Sequence, residues 1–561
     1  MREIVTIQVG EFANFIGSHF WNFQDELLGL ANDPESDPIF RNHNLDMDVL
    51  YRAGETQQGV ATYTPRLVSV NLKGSLGSMS SRGTLYNEGS SSRSDSSKTW
   101  FGDVVTQRSE PRKRNLFLQS LYEEEDKVKE IEDKDIVGCL DEGVECWTDF
   151  SKSHFHPQSL YELNGLWMDS QDFDNYGIGK DVFSEASRGE EICDRLRFFV
   201  EECDHIQGIK FLVDDSGGFS ALAADFLENM ADEYTNIPVL LYSVRSPMSQ
   251  MNPRSSKKTV SNKLHDAISF SRLSSFCKLF TPIGLPSLSG SKASKYLNLG
   301  DEKPYRSSAV YAAALHSSTI PFRMQPLSSN SSEVSSPMDV NTLVQLLTGR
   351  GRQNMVAILD TAMPAPTLAG KQLENTLFKD LQTLTPEVTE DVEDDQAVES
   401  MSILGALRSE EVEASVSEVK NAVDASYEQA MITKGKPLFC NLSVSRCPLP
   451  VPLPFPSIFG NLVGRKGEIL SSPVSDSLYR GSLDVHSLPV ATRWRSSNAI
   501  LPYLESKMGN LEKLGIQWGA MGSDLVRTWG FGREELQEMR ENLSKMVSEL
   551  NPQFLESSDS D

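Results

Sequence analysis

The first thirty residues carry two apolar patterns that a single glycine separates. A short β-branched run ends at Gly10 and is typical of a buried parallel strand. The apolar positions after it recur at helical spacing, which predicts an amphipathic helix. The strand residues are Ile4, Val5, Ile7 and Val9, and the helix residues are Phe12, Phe15, Ile16, Phe20, Phe23 and Leu27. Strand, glycine turn and helix predict a doubly wound α/β fold whose first helix begins at the carboxyl edge of the sheet.

The same periodicities predict further strands and helices along the chain. Strands are predicted at residues 64–72, 209–213 and 237–244, and helices at 192–199, 221–234, 340–347 and 534–550. The last helix has an apolar stripe formed by Leu536, Met539, Leu543, Met546, Val547 and Leu550. Two interpretations are open for this stripe: the helix packs on its own domain, or it binds a partner protein.

Several segments have the composition of loops and insertions. A Ser/Gly-rich stretch over 73–98 predicts a mobile loop. An inserted loop is also predicted at 122–170, where the charges of 123–135 favour a solvated helix. Residues 386–418 predict an acidic loop that is loose in its first half. The proline-rich segment 448–456 is expected to be extended, either as a strap on the core or as a docking site for a proline-recognition domain.

Charge, cysteine content and hydropathy narrow the class of protein. The 53 Lys and Arg residues against 79 Asp and Glu give a net charge of −26, which argues against nucleic acid or an anionic membrane surface as the main partner. Seven scattered cysteines without a CxxC pair predict reduced thiols in a cytosolic protein. His154 and His156 stand in an irregular stretch, and we interpret them as loop residues, so no metal site is expected. No apolar run approaches the roughly 18 to 20 residues that span a bilayer, which leaves peripheral association from the cytosolic side.

The opening of the chain resembles that of tubulin. Residues 1–21 read MREIVTIQVGEFANFIGSHFW, and the tubulin pattern is MREIVxIQxGQxGNxIGxxFW. Residues 63–72 (YTPRLVSVNL) and 202–208 (ECDHIQG) are similar to tubulin's YVPRAILVDLEP and ESCDCLQGF. The resemblance implies an N-terminal tubulin-like domain with a doubly wound parallel sheet.

The resemblance also locates a nucleotide pocket, which this sequence has altered. Tubulin's GGGTGSG loop is similar to residues 214–221, which read DDSGGFSA, with Phe219 near the phosphate-contacting Thr. Glu11 replaces a Gln that touches phosphate, and two unit charges 4 Å apart interact by about 4 kcal/mol at an effective dielectric of about 20. Lys73 replaces an acidic residue that supports magnesium, and its charge could substitute for the metal. The candidate pocket residues are Gly10, Glu11, Asn14, Lys73, Asn175, Ser216, Gly217 and Gly218.

Two other tubulin motifs have no clear counterpart in the chain. The base-reading asparagine of NEAL is missing from residues 276–288, and the nearest sequence to the GxxNxD loop is Met-Asp-Val-Asn at 338–341. The pocket is therefore expected to be vestigial, with no GTP hydrolysis, no bound cofactor and no catalytic residues. Metal-free binding of GTP through Lys73 is the alternative.

This pattern of losses and insertions, with a diverged C-terminal third, resembles the Misato family. The resemblance implies a tubulin-like domain over 1–270, a diverged α+β intermediate domain over 271–480 and a helical C-terminal region over 481–561. It further implies a non-enzymatic, cytosolic protein, partly at the mitochondrial outer face, that acts in mitochondrial distribution, morphology and inheritance. The alternatives are a GTP-binding cytoskeletal protein and an accessory factor for tubulin folding or microtubule assembly. Expected partners are the tubulin and microtubule machinery, cytosolic chaperonin or mitochondrial surface proteins, and not nucleic acid.

Overall fold

A computed structural model describes residues 2–551 of the chain with internal gaps. The gaps are at 57–58, 84–97, 100–101, 104–111, 123–130, 169–172, 186, 248–255, 326–336, 350–353, 369–375, 390–393, 395, 407–414, 435–436, 475–476, 478 and 518–519. The strands are β1 (Glu3–Val9), β2 (Tyr51–Glu55), β3 (Ala61–Pro65), β4 (Leu67–Lys73), β5 (Lys98–Thr99), β6 (Gly102–Asp103), β7 (Leu160–Trp167), β8 (Ile206–Asp214), β9 (Val239–Val244), β10 (Leu279–Ile283), β11 (Ile358–Ala362), β12 (Gln382–Thr383), β13 (Val398–Leu404), β14 (Phe439–Ser445), β15 (Leu449–Pro450), β16 (Ser487–Leu488) and β17 (Val490–Ser496).

The helices lie between these strands and at the C-terminus. They are α1 (Glu11–Asn32), α2 (Pro38–Arg41), α3 (Leu116–Tyr122), α4 (Asp133–Gly143), α5 (Tyr176–Ser184), α6 (Arg188–Glu201), α7 (Gly218–Glu233), α8 (Ser256–Ser274), α9 (Pro304–Ser318), α10 (Val340–Gly349), α11 (Thr376–Asp380), α12 (Val416–Lys434), α13 (Leu501–Asn510), α14 (Ala520–Thr528) and α15 (Arg533–Leu550). A π-helical segment, Leu511–Ile516, continues α13.

Six parallel strands form the first sheet, in the order β10-β9-β8-β1-β4-β7. Every residue of β1 is buried, as expected for a strand with a neighbour on each side and a helical layer on each face. The helices α1 and α9 pack together on one face, while α6 and α7 contact β1 from the other. The predicted doubly wound, tubulin-like α/β domain is confirmed.

Five strands form a second, mixed sheet in the order β12-β11-β17-β13-β14. The strand β13 pairs antiparallel with β17 and parallel with β14, which gives this part of the chain the predicted α+β character. The C-terminal helices α13 and α15 contact α8, a helix of the first domain. Leu536, Leu543 and Leu550 of α15 are all at most 3% exposed, so the apolar stripe of α15 packs on its own chain.

The predicted limits between the three regions differ from the observed sheets. Helix α8 runs across residue 270, and β10 completes the first sheet beyond it. Strand β17 is a central strand of the second sheet, although we predicted a helical region from 481 onward. The limit at 270 was placed where the likeness to tubulin thins, and that likeness fades earlier than the hydrogen bonding of the first sheet does.

Parts of two predicted loops are regular structure. The predicted acidic loop at 386–418 contains β13, whose seven residues are all buried. The acidic composition of the segment concealed this strand, since an acidic residue such as Glu399 is usually exposed. Here the carboxylate of Glu399 is buried and accepts hydrogen bonds from Arg493 and Tyr427. The predicted insertion at 122–170 contains α4 and the edge strand β7, whose polar residues masked its apolar alternation. The Ser/Gly-rich loop lies mainly outside the described residues, as does the charged segment 123–130.

The proline-rich segment 448–456 is a strap on the core. Leu449, Val451 and Phe455 are each at most 6% exposed, and the ring of Phe455 stacks on Phe459 with centroids 5.4 Å apart. A proline-recognition domain needs the face of such a segment to be open, so the docking interpretation does not fit. Among the described residues, no helix is both long enough and apolar enough to cross a membrane.

A buried ion cluster in the second sheet predicts loss of stability in acid. Burial alone would raise the pKa of Asp360, but Arg495 and Arg493 outweigh it and lower that pKa to about 2. Because this pKa is lower in the folded protein than in the unfolded chain, the ionised carboxylate stabilises the fold above pH about 4. This contribution is lost as the pH falls toward about 2. We expect Asp360 to contribute about 2 kcal/mol to this acid transition. Urea unfolding between pH 2 and 6 would measure it, and the variant Asp360→Asn should have a flatter profile than the wild type.

Candidate functional site

The turn between β1 and α1 lies at the carboxyl edge of the first sheet, where nucleotides bind in such folds. Gly10 has a φ of +116°, a conformation that favours glycine. The side chain of Asp214, at the end of β8, lies against this turn. The backbone N–H of Phe12 donates to its Oδ2 at 3.0 Å, and that of Ala13 donates to Oδ1 at 2.7 Å. The N-terminus of α1 thus holds a carboxyl group from the chain itself.

Burial and hydrogen bonding act in opposite directions on the ionisation of Asp214. The pKa of its carboxyl group is about 8 once all influences are included. Burial raises this pKa, and the hydrogen bonds from the N–H groups of Ala13 and Phe12 lower it. The charges of Glu11 and Asp215 add to the rise. A nucleotide phosphate at this turn would have to displace the Asp214 carboxyl group from the two N–H groups, and it would lie beside the charges of Glu11 and Asp215.

The second glycine turn precedes α7 and is filled by Phe173. The N–H of Gly218 donates to the carbonyl oxygen of Phe173 at 2.9 Å. A Cβ on Gly217 would lie 2.4 Å from that same oxygen, and a Cβ on Gly218 would lie 2.6 Å from the Phe173 ring. The ring also packs edge-on against Phe219, with centroids 4.9 Å apart. The two glycines that resemble a phosphate loop therefore accommodate a phenylalanine.

Asn14 belongs to a buried polar network beneath the first turn. Its Nδ2 donates to Asn71 Oδ1 at 2.9 Å, and its Oδ1 accepts from Ser69 Oγ at 2.9 Å. The indole N–H of Trp147 donates to the same Asn71 oxygen at 2.9 Å. Each of these atoms has a protein partner, so the network joins α1 to β4 and to the turn at Trp147.

The space that the described residues enclose between the first turn and Phe219 is small. A cavity of about 10 Å³ lies there, which is close to the smallest volume that holds one water molecule. Its walls are Glu11, Asn14, Asn71, Leu72, Ser75, Met168 and Phe219. Ligand pockets commonly measure roughly 300–1,000 Å³. The cavity is therefore far too small for a nucleotide.

The remaining predicted residues lie outside this cavity. Asn175 caps α5, and its Oδ1 accepts from the N–H of Gly177 at 2.8 Å. Lys73 ends β4 and is half-buried, and its carbonyl oxygen accepts from the N–H of Met168. Ser216 is half-buried in the turn after β8. Of the eight predicted residues, the structure places only Glu11 and Asn14 in the cavity wall.

The sequence interpretation missed two polar clusters beside the site. Ser220 Oγ lies 3.2 Å from His265 Nε2, and both side chains are buried between α7 and α8. Neither side chain reaches solvent, so the pair is a packing contact and not a nucleophile with its base. Arg245 pairs with Asp215 at 2.7 Å and Asp266 at 2.8 Å. The only signal for this cluster in the sequence was Asp215, the second of the two carboxylates beside the glycine turn that precedes α7.

The His, Cys, Asp and Glu side chains can be compared with the geometry that a metal site needs. Within the described ranges, no group of three or more His, Cys, Asp or Glu side chains has a geometry that could hold a metal ion. His156 of the HxH pair stacks on Phe198 with ring centroids 4.9 Å apart, and burial lowers its pKa to about 4.

The parallel sheet and its two glycine turns define a tubulin-like protein. A family model described as the Misato Segment II tubulin-like domain matches residues 2–123, and one described as a tubulin domain matches residues 138–324. Protein misato homolog 1 from Homo sapiens is 30% identical over 406 residues, which are 67% of this chain and 68% of that protein. The chain belongs to the Misato family.

Two other relatives extend the comparison. Protein misato homolog 1 from Bos taurus is 27% identical over 599 aligned residues, which cover 97% of both chains. Protein DML1 from Gibberella zeae is 29% identical over 65% of this chain and 68% of that protein. Several of the matches span about two thirds of the relative's length.

Proposed function

We propose that this protein is a non-enzymatic, tubulin-like scaffold that organises mitochondria from the cytosol. In this proposal it controls their distribution, morphology and inheritance through protein partners, and part of it associates peripherally with the mitochondrial outer face. Membership of the Misato family supports the mitochondrial role. Since a fold alone does not determine a function, the absence of enzymatic activity has to be supported by the site itself.

One observation carries the non-enzymatic proposal. Both helix N-termini that could bind a nucleotide's phosphates are already bonded to oxygens of the chain. The N-terminus of α1 holds the Asp214 carboxyl group, and that of α7 holds the Phe173 carbonyl. Helix N-termini of this kind are the usual phosphate sites of α/β folds. A nucleotide would have to displace both groups before it could bind.

We expect the purified protein to carry no nucleotide and to bind GTP more weakly than about 1 mM, with or without magnesium. The physical reason is the small volume of the cavity and the exclusion of phosphate from both helix N-termini. Denaturing the protein and analysing released nucleotide, followed by calorimetric titration with GTP, would test this. Micromolar binding would contradict the proposal, and magnesium-independent binding would direct mutagenesis to Lys73.

The mitochondrial role needs a cellular test with a pocket variant. Depleting the protein should disperse or misshape the mitochondria, and imaging would measure their distribution. Because Glu11 is exposed and a scaffold needs no nucleotide, Glu11→Ala should restore the distribution as well as the wild type does. Unchanged mitochondria after depletion would contradict the mitochondrial role. Affinity purification would distinguish the mitochondrial role from a role in tubulin folding. Recovery of chaperonin subunits and tubulin without mitochondrial surface proteins would favour the role in tubulin folding.

A further inference from the structure

The carboxyl group at the start of α1 comes from a distant part of the chain. A helix leaves its first N–H groups without partners, and the usual partner is the side chain of the residue just before the helix. Here that residue is Gly10, which has no side chain to offer. Asp214 lies about two hundred residues later and supplies an oxygen to each of two N–H groups, those of Phe12 and Ala13.

The space around this carboxyl group is closed. A Cβ on Gly10 would lie 2.4 Å from its Cγ, so the glycine turn and the carboxyl group fit directly against each other. Asp214 is only 9% exposed. A solute oxygen cannot reach the N–H of Phe12 or Ala13 while this side chain is present.

We propose that Asp214 is a built-in substitute for the phosphate oxygens of a ligand. A phosphate bound at a helix N-terminus also presents two oxygens to successive N–H groups. The carboxyl group makes these contacts permanently, so the start of α1 is held against β8 without any ligand. This inference rests on the proposed function, because it explains how the domain keeps its arrangement without a nucleotide.

The proposal predicts that removing the side chain creates a phosphate site. In Asp214→Ala, the N–H groups of Phe12 and Ala13 lose their acceptors and a small space opens beside them. Hydrogen–deuterium exchange in the first turn of α1 should become at least tenfold faster than in the wild type. Inorganic phosphate at 20 mM, at constant ionic strength, should reverse much of this increase, because its oxygens replace the lost acceptors. Mass spectrometry of a peptide over residues 10–20 would measure both effects.

Two further variants distinguish the loss of the Asp214 acceptors from general destabilisation of the fold. In Asp214→Asn the amide still fills the space, and its nitrogen cannot accept a hydrogen bond. Exchange in the first turn should therefore rise without any response to phosphate. Asp215→Ala removes the neighbouring carboxylate, which pairs with Arg245 and Ser243. Exchange at the start of α1 should then remain that of the wild type.

Three outcomes would overturn the proposal. They are unchanged exchange in the Asp214 variants, no protection of Asp214→Ala by phosphate, and equal protection of the wild type by phosphate. If Asp214→Ala does not fold, the comparison of Asp214→Asn with the wild type decides. Binding of GTP to the wild type would contradict the proposed function, while the exchange data would still report on Asp214.

Discussion

Replacing Gly10 with alanine should strongly destabilise the first domain. The new Cβ would lie 2.4–2.6 Å from three atoms of the Asp214 side chain, and φ at this position is +116°. The backbone strain costs roughly 1–3 kcal/mol, and the steric overlap in a packed site costs a similar amount. We expect the free energy of unfolding to fall by about 4 kcal/mol, measured by urea denaturation.

Gly29 provides a control in α1, the helix that follows Gly10. No atom lies within 4 Å of the position that its Cβ would take. Glycine inside a helix is less stable than alanine by roughly 0.5–1 kcal/mol, so Gly29→Ala should leave stability unchanged or raise it. A loss in Gly10→Ala no larger than the change in Gly29→Ala would show that the close contact with Asp214 is not maintained in solution.

The second large effect is expected in the ion cluster of the second sheet. Arg493 lies on the central strand β17, with its Nη2 2.7 Å from Asp360 and its Nη1 3.3 Å from Glu399. Both carboxylates are buried. Arg493→Met fills a similar volume but leaves two buried carboxylates without this cation, which typically costs about 3–5 kcal/mol. Urea denaturation of the full chain would measure the loss.

Two comparisons make this test specific. Arg493→Lys retains the charge but not the planar fork, so its stability should fall between those of the wild type and Arg493→Met. Arg527→Met removes a cation whose pair with Asp524 is largely exposed, with 83% and 64% of the two side chains accessible. That change should have almost no effect. Equal losses in Arg493→Met and Arg527→Met would mean that the buried cluster does not stabilise the sheet.

The first domain could be predicted from the sequence because its signals are local. The β-branched run before Gly10 and the helical spacing after it both reflect burial by immediate neighbours, and both elements formed as predicted. Strand β13 could not be recognised in the same way. Its alternation of apolar with polar residues is interrupted by Glu399, which is buried because Arg493, ninety-four residues later, is its partner. A single sequence does not show that pairing.

The sequence identified the two glycine turns but not the groups that occupy them. Gly10 and Gly217 have positive φ, as a close-packed turn requires. The sequence placed two carboxylates beside the second turn, but it could not show that one of them reaches the N-terminus of α1. Nor could it show that Phe173 fills the other turn. Both contacts join segments that are distant along the chain, and local periodicity carries no information about them.

The docking of α13 and α15 on α8 has a consequence for synthesis on the ribosome. The last strand of the first sheet ends at Ile283, but α13 begins only at Leu501. At about 5–20 residues per second, translating the intervening segment takes about 10–45 s. During that interval the apolar surface of α8 has no covering helix. The nascent chain therefore passes through a long aggregation-prone stage, and the rate of elongation should influence how much of it reaches the native state.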